Sequence, residues 1–474
     1  MKTLQLTIGF LLMMGLLTAI RPAGAQTNFT ILKSFTGAPD GNIPYSTLVA
    51  DTNGVLYGTT VNGGISNQGT IFAIQQNAFG YTNTFGYVTL RSFAGATNGV
   101  APYAGLVLST NGSLYGITYG GGISNYGTVF TINRDGSGLA YLHSFTGTTD
   151  CKNPEAGLIE GSDGALYGTT YFADGATRGT IFKINKDGSG YMILHTFTGT
   201  SSGGDGQNPI CKLLEADDGL IYGTTSLGGS ANAGTVFAIN KDGTGYNILY
   251  SFKTTGGDGR QPGAGLLEGS DQVLYGTTYV SGGTGTNGTV FSLNKNGSNY
   301  QILHRFSTSN GDGQRPDGEL IEGADGALYG GTDSGGTGSS GTIYKLNKDS
   351  SGYQILRNFS SGNGDGHIPR CALLQLSNGV FYGTTEFGAV GGAGCVFALS
   401  AAPLPPRILS LSALSSSNWL QCAATSAVQY DVQRSTNLSS WSLLTTVTSQ
   451  TNGQLNYSDL TPPRPNAYYR LQQH

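Results

Sequence analysis

The chain has 474 residues, 77 of them glycine, with 11 % charged side chains and a formal net charge of −4 at pH 7. The charged share is under half of what ordinary globular chains carry. A mildly acidic balance with no basic cluster argues against nucleic acid as a partner.

Residues 1–25 hold Lys2, an apolar run from Leu4 to Ile20, and Ala23-Gly24-Ala25. This pattern predicts a secretory signal peptide with a small-residue cleavage site; the run is short for a span, and no later stretch reads as one. Its removal takes away Lys2 and Arg21 and shifts the net charge from −4 to −6. The expectation is an exported protein, secreted or held at the cell surface, with no transmembrane segment once cut.

From residue 26 to 402 the chain repeats itself. A Tyr-Gly pair recurs at Tyr57, Tyr115, Tyr167, Tyr222, Tyr275, Tyr329 and Tyr382, spaced by 58, 52, 55, 53, 54 and 53 residues. Self-similarity at one period means a repeat architecture. The third copy shows four short apolar runs at 157–160, 165–170, 180–185 and 191–197. They are rich in Ile, Leu, Phe, Tyr and Thr and are separated by Asp-Gly turns, so they read as four antiparallel strands, A to D. No apolar pattern of helical period runs through the repeats. A lone four-stranded sheet with two apolar faces cannot hide them, whereas sheets stacked around an axis can. Residues 29–35 (FTILKSF) match a D strand, and the last copy stops after its C strand at 394–399. The orphan strand fits the vacancy. The expected fold class is all-β: a seven-bladed β-propeller whose N-terminal strand closes the last blade.

Blade 1 has a longer C–D hairpin carrying Phe79, Tyr81, Phe85 and Tyr87, which would fold back on itself or dock the C-terminal domain. Residues 403–406 (Pro-Leu-Pro-Pro) read as a stiff linker. In 407–474 the glycine-rich pattern vanishes, and short strand-like runs predict a small fibronectin-III-like β-sandwich with Trp419, Tyr430, Trp441 and Tyr469 in its core. Of the five cysteines, Cys211 and Cys371 share one register in different blades, and Cys371 and Cys395 sit on strands A and C of one blade. No structural disulfide is expected; the cysteines stand in as small hydrophobes.

Taken together, LYGTT, GG, GTVF and DGxxP resemble the GloVer tandem-repeat proteins, exported bacterial proteins described from Gloeobacter and Verrucomicrobia. The resemblance spans about 29–399, and the stretch from Tyr430 to Leu438 with Tyr469-Arg470 is similar to C-terminal domains on exported verrucomicrobial proteins. The family carries no established activity, so the resemblance transfers no catalytic residue.

Several motifs are read as architecture. The acids before six of the seven A strands (Asp40, Asp150, Asp205, Asp258, Asp312, Asp365, with Asn98 as the exception) offer one carboxylate per copy, too few for calcium, and a loop-closing turn ahead of proline explains them. The two G-x-G-x-x-G matches open no helix, and the Asn-Lys-Asp-Gly-Ser-Gly turns lack an EF-hand's last acid. His143, His195 and His304 share a D-strand register with Lys33, Arg91, Tyr250 and Arg357, which predicts an exposed outer face. No cofactor, metal site or catalytic set emerges.

What recurs in all copies holds the blades up, so a ligand site should lie where copies differ, on the face bearing the D–A and B–C loops. Candidate ligand-binding residues there are Tyr119, Tyr171, Arg178, Arg260, Tyr279, Arg315, Asp333, His367 and Glu386, with Arg370 and Tyr126 beside them. Tyrosines, arginines and acids around a funnel suit a glycan or a peptide or protein at the cell surface. The expected function is a non-catalytic, monomeric binding or scaffolding propeller. The alternative is a glycan-active lyase or hydrolase using Asp333 and Glu386 as its carboxylate pair.

Overall fold

The computed structural model describes residues 28–75, 86–95, 98–147, 150–171, 178–199, 204–281, 287–309, 311–362, 364–370, 372–400, 407–413, 418–423, 429–435, 442–448, 454–459 and 468–473. The signal-peptide reading (1–25), the tip of the blade 1 hairpin with Phe79, Tyr81 and Phe85, and the linker 403–406 lie outside them.

Each repeat folds as one antiparallel sheet in the order A-B-C-D, and there are seven such sheets. Blade 3 shows why the motif has its composition. Strand B, Leu166–Thr170, pairs with strand C, Thr180–Ile184, placing Gly168 opposite Phe182 and Thr170 opposite Thr180. A Cβ on Gly168 would lie 2.6 Å from the tip of the Phe182 ring, so glycine opens the slot in which that ring lies. The same clash, at 2.5–2.6 Å, recurs in every blade, with Tyr344 replacing phenylalanine in blade 6. The threonine hydroxyls satisfy each other at 2.7–2.9 Å in six blades, and Cys395 replaces one of them in blade 7, at 3.2 Å. Buried hydroxyls need such partners. The repeated residues are thus consumed by each blade's own packing.

The ring closes as its ends suggested. The N-terminal strand Asn28–Ser34 pairs antiparallel with the last C strand, Cys395–Ser400, setting Ile31 opposite Phe397 and Lys33 opposite Val396. Seven hydrophobic clusters fill the gaps between neighbouring sheets, one per gap. The seam is packed like the rest: Leu48, Leu56 and Phe72 of blade 1 meet Phe35, Tyr382 and Val396 of blade 7. Across every gap a glycine meets the next blade's proline. At Gly179, φ is +108° and a Cβ would lie 2.5 Å from Pro209; at the seam, Gly394 stands in the same relation to Pro44, at 2.6 Å.

The loop acids behave as architecture. Asp150 accepts from the Thr146 N–H and meets His143 Nε2 at 3.1 Å; Asp205 does the same for Thr198 and His195. The shared histidine register is not an exposed face. His143, His195 and His304 are only 18–20 % exposed and stack at 3.7–3.8 Å on Tyr191, Tyr246 and Tyr353 of the following blade. A position that tolerates Lys, Arg, Tyr and His looks solvent-facing in sequence, but each can lie on an aromatic ring of the next blade, as Lys33 does on Tyr87, Tyr250 on Tyr300 and Arg357 on Phe29.

On the hairpin face, Lys186 reaches Glu160 at 2.5 Å, and Glu160 accepts from the Thr110 N–H and hydroxyl of the preceding blade. Lys241–Glu215, Lys295–Glu268 and Lys348–Glu322 repeat this bridge. Burial alone would raise the Glu160 carboxyl, but the bonds from Lys186, Thr110 and Ser109 outweigh it and bring it down to about 2. Cys151, Cys211 and Cys395 are buried, and burial pushes the Cys211 thiol up to about 12; Cys371 and the side chain of Cys422 lie outside the described residues.

The C-terminal segment forms two three-stranded antiparallel sheets. One orders Arg407–Ala413, Asn418–Ala423 and Gln454–Asp459; the other orders Ser442–Thr448, Gln429–Ser435 and Tyr468–Gln473. Arg434 of the second bonds Asp459 of the first at 2.8 Å. The side chains of Trp419, Tyr430 and Tyr469, and all of Trp441, lie outside the described residues.

Candidate functional site

The variable loop residues are set in place by one device used seven times. The residue before each strand-A proline is left-handed, with φ between 51° and 62°, at Ile43, Ala101, Asn153, Asn208, Gln261, Arg315 and Ile368. Its N–H donates to the preceding blade's B–C segment at 2.8–3.0 Å, as Ala101 does to the Gln68 carbonyl and Ile368 to that of Ser340. Its carbonyl accepts, at 2.9–3.3 Å, from the residue just past Y-G-x-T in its own blade: Val61, Tyr119, Tyr171, Ser226, Tyr279, Asp333 or Glu386. Left-handed backbone is unfavourable for any side chain and worst for the β-branched Ile43 and Ile368. The chain accepts it because both backbone groups are bonded, the N–H across to the preceding blade and the carbonyl within its own blade.

The residues immediately after those prolines surround the axis. A cavity of about 120 Å³ is lined by Tyr45, Tyr103, Glu155, Lys212, Asp317 and Glu319, together with Arg370. Glycines in blade 5 make the room: a Cβ on Gly263 or Gly265 would lie 2.5 Å from the Asp317 or Glu319 carboxylate.

Two walls differ in chemistry. On the side of blades 1 and 2, Tyr45 meets Tyr103 edge-on at 5.8 Å, and Tyr103 meets Tyr119 at 5.2 Å. Burial, then the nearby Glu155, pushes the Tyr103 and Tyr119 hydroxyls above their usual range. On the side of blades 6 and 7, three carboxylates converge on one guanidinium. Arg370 lies 3.3 Å from Asp333, 3.5 Å from Glu386 and 4.0 Å from Asp317. Tyr279 donates to Asp333 at 3.3 Å, and the Arg315 guanidinium lies 5.8 Å from the Tyr279 ring centre. Asp333 is 4 % exposed, and its Oδ1 is buried with no hydrogen-bond partner. Asp317 is raised to about 6, by burial and by the charges of Asp333 and Glu386, against the pull of Arg370. Burial likewise raises Asp333, Glu386 and Glu155.

Asp333 and Glu386, paired in sequence analysis, therefore do meet, on Arg370. Tyr279 and Arg315 join them, and Tyr119 joins the aromatic wall, with Tyr171 close enough to act on its hydroxyl. The remaining candidates stand apart. Arg178 is exposed, Arg260 lies on the two-residue strand Gly259–Arg260 with its Nε unpartnered, and His367 stacks on Phe387 at 5.9 Å. Sequence reasoning did not single out Tyr45, Tyr103, Glu155, Lys212, Asp317 and Glu319. The signal was present: the residue after each proline reads Tyr45, Tyr103, Glu155, Ile210, Gly263, Asp317 and Arg370, as varied as the positions that were chosen.

The sequence model of the Gloeobacter/Verrucomicrobia repeat matches residues 12–213 and 162–397. The chain belongs to that repeat family. This GloVer-type chain matches no curated protein. Solved structures similar to it include the nidogen/laminin complex (14 % identity, TM-score 0.37, covering 65 % of this chain and 92 % of that one). A protein of unknown function from Dyadobacter fermentans is 10 % identical, with TM-score 0.42 over 79 % of this chain and 98 % of its own. A puromycin-hydrolyzing peptidase of Mycobacterium tuberculosis is 10 % identical, with TM-score 0.44 over 94 % of this chain and 57 % of its own. Among the described residues of the GloVer chain, no three His, Cys, Asp or Glu side chains are grouped to hold a metal ion, and no helix is long and apolar enough to cross a membrane.

Proposed function

We propose that the chain is an exported binding propeller that takes an extracellular glycan into its axial funnel, with the fibronectin-III-like C-terminal segment as a sorting or interaction module. One observation carries this reading: the repeated residues are spent on packing, while the variable residues that follow each strand-A proline converge on one cavity with an aromatic wall and a charged wall. Tyrosine rings stack on sugar faces, and carboxylates and a guanidinium fix hydroxyl groups, which is how a small number of placed polar groups orient a ligand. A glycan array probed with the full chain tests it. Binding that is lost in Tyr103→Ala and Arg370→Lys, with melting curves showing both variants folded at the assay temperature, supports the reading; binding that survives both, or no binder at all, refutes it.

A second reading, a glycan-active hydrolase or lyase, is favoured by the Asp317 carboxyl at about 6 beside Asp333 and Glu386, since an acid held near neutrality suits proton transfer. Against it, the nominated pair shares a single guanidinium, which makes both carboxylates counter-ions. Release of reducing or unsaturated ends from a polysaccharide panel, abolished by Asp317→Asn, would establish catalysis.

A further inference from the structure

We infer that the axial funnel selects a glycan bearing free, protonated amino groups, a de-N-acetylated amino-sugar chain, over the same chain with its amines acetylated. This rests on the glycan-binding reading above and narrows it.

The first argument is charge. Glu155, Asp317 and Glu319 line the cavity, and Asp333 and Glu386 stand within 3.5 Å of its Arg370. Against these five carboxylates stand Arg370 and Lys212 in the lining and Arg315 beside Asp333, leaving two acids in surplus. Arg370 is already shared by three of the acids, so it cannot neutralise the set. The second argument is where the cation is spent. Arg370 bonds Asp333 at 3.3 Å, and that carboxylate is 4 % exposed and outside the cavity lining. The guanidinium's charge is thereby drawn away from the lining acids Glu155 and Glu319. A third argument concerns the opposite wall. The Tyr103 ring lines the cavity with the Tyr119 ring 5.2 Å from it, and a tyrosine face accepts both a sugar ring and a cation. A neutral sugar would use the tyrosines and leave the surplus charge unanswered; a polyanionic sugar would be repelled by it. An amino sugar uses both walls.

The test is titration calorimetry of the full chain near neutral pH with two probes, a β-1,4-linked glucosamine oligomer and its fully N-acetylated counterpart, with oligolysine as a third. The expected result is about tenfold tighter binding of the free-amine oligomer, a preference that shrinks as salt rises. Glu155→Gln with Asp317→Asn should bring the preference to within about twofold, while Tyr103→Ala weakens both oligomers alike. Equal or tighter binding of the acetylated oligomer overturns the inference and leaves the glycan reading standing. Oligolysine bound as tightly as the amino glycan overturns it too, because charge alone would then suffice. Failure of both oligomers together with a silent glycan array removes the glycan reading itself. Thermal melts of each variant separate lost binding from lost folding.

Discussion

Replacing Asp317 by asparagine should stabilise the protein at neutral pH, although it removes a charged group that faces an arginine. The Asp317 carboxyl is raised from 3.8 to about 6. Between those values the folded chain holds a proton that the unfolded chain has released, so stability falls as pH rises through that window. Above it the full penalty remains. Two pKa units are worth about 3 kcal/mol, and the 18 % of the side chain still exposed trims this to about 2–3 kcal/mol. The attraction of Arg370 at 4.0 Å is already contained in the net shift, and Asp333 and Glu386 remain to satisfy that guanidinium. Asparagine keeps the shape and never ionises. With a propeller of roughly 370 residues, 2–3 kcal/mol corresponds to a rise in Tm of about 3–4 °C. Calorimetric melts of wild type and Asp317→Asn at pH values from about 4 to about 8 read this directly. The curves should coincide at the acid end, separate between 3.8 and about 6, and keep a constant gap above that. A variant less stable than wild type at neutral pH, or a difference independent of pH, would refute the account of the site as under-neutralised.

Other consequences concern the scaffold. Gly394→Ala would set a Cβ 2.4 Å from the Thr385 carbonyl and 2.6 Å from Pro44, at φ +90°. It should destabilise the ring by more than about 3 kcal/mol in denaturant titration and raise proteolysis at the blade 7–blade 1 seam. Ile368→Asn should gain about 1 kcal/mol, because asparagine tolerates the left-handed backbone (φ 62°) that isoleucine resists; Asn153 and Asn208 already hold that place in blades 3 and 4. Glu160→Gln should cost about 1–2 kcal/mol at neutral pH, since a carboxyl lowered to about 2 contributes stability that is present above its unfolded value near 4.5 and lost as pH falls through its folded one. Urea titrations at neutral and strongly acid pH should show that difference disappear at the acid end.

Much of this could be read from sequence, and the parts that could not share a cause. The seven tyrosine-glycine anchors, the Asp-Gly turns and the orphan strand at 29–35 announce four-stranded blades and their closure, because strand period, turn chemistry and edge pairing act over a few residues or between two recognisable fragments. The loop acids are legible as architecture for the same reason, since their partners lie a few residues away in the chain. The histidine register misled because a residue's alternatives in other copies report its chemistry and not its neighbour; the stacked tyrosine comes from the next blade. The funnel was half seen. Positions past Y-G-x-T are visibly variable and Arg370 stands beside them, but Tyr45, Glu155 and Asp317, at the equally variable position after proline, are indistinguishable in sequence from the first residues of a strand.

The amino-acid order by itself determined how many sheets form, which strands compose them, and that the first strand belongs to the last sheet, since each of these depends on local pattern and on burying two apolar faces. Only the closed ring decided which side chains meet. Tyr45 and Arg370 are 325 residues apart in the chain, yet the Arg370 guanidinium lies 5.9 Å from the Tyr45 ring centre. Contact between blades 1 and 7 follows from curvature accumulated over every sheet between them, and no window of the sequence contains it.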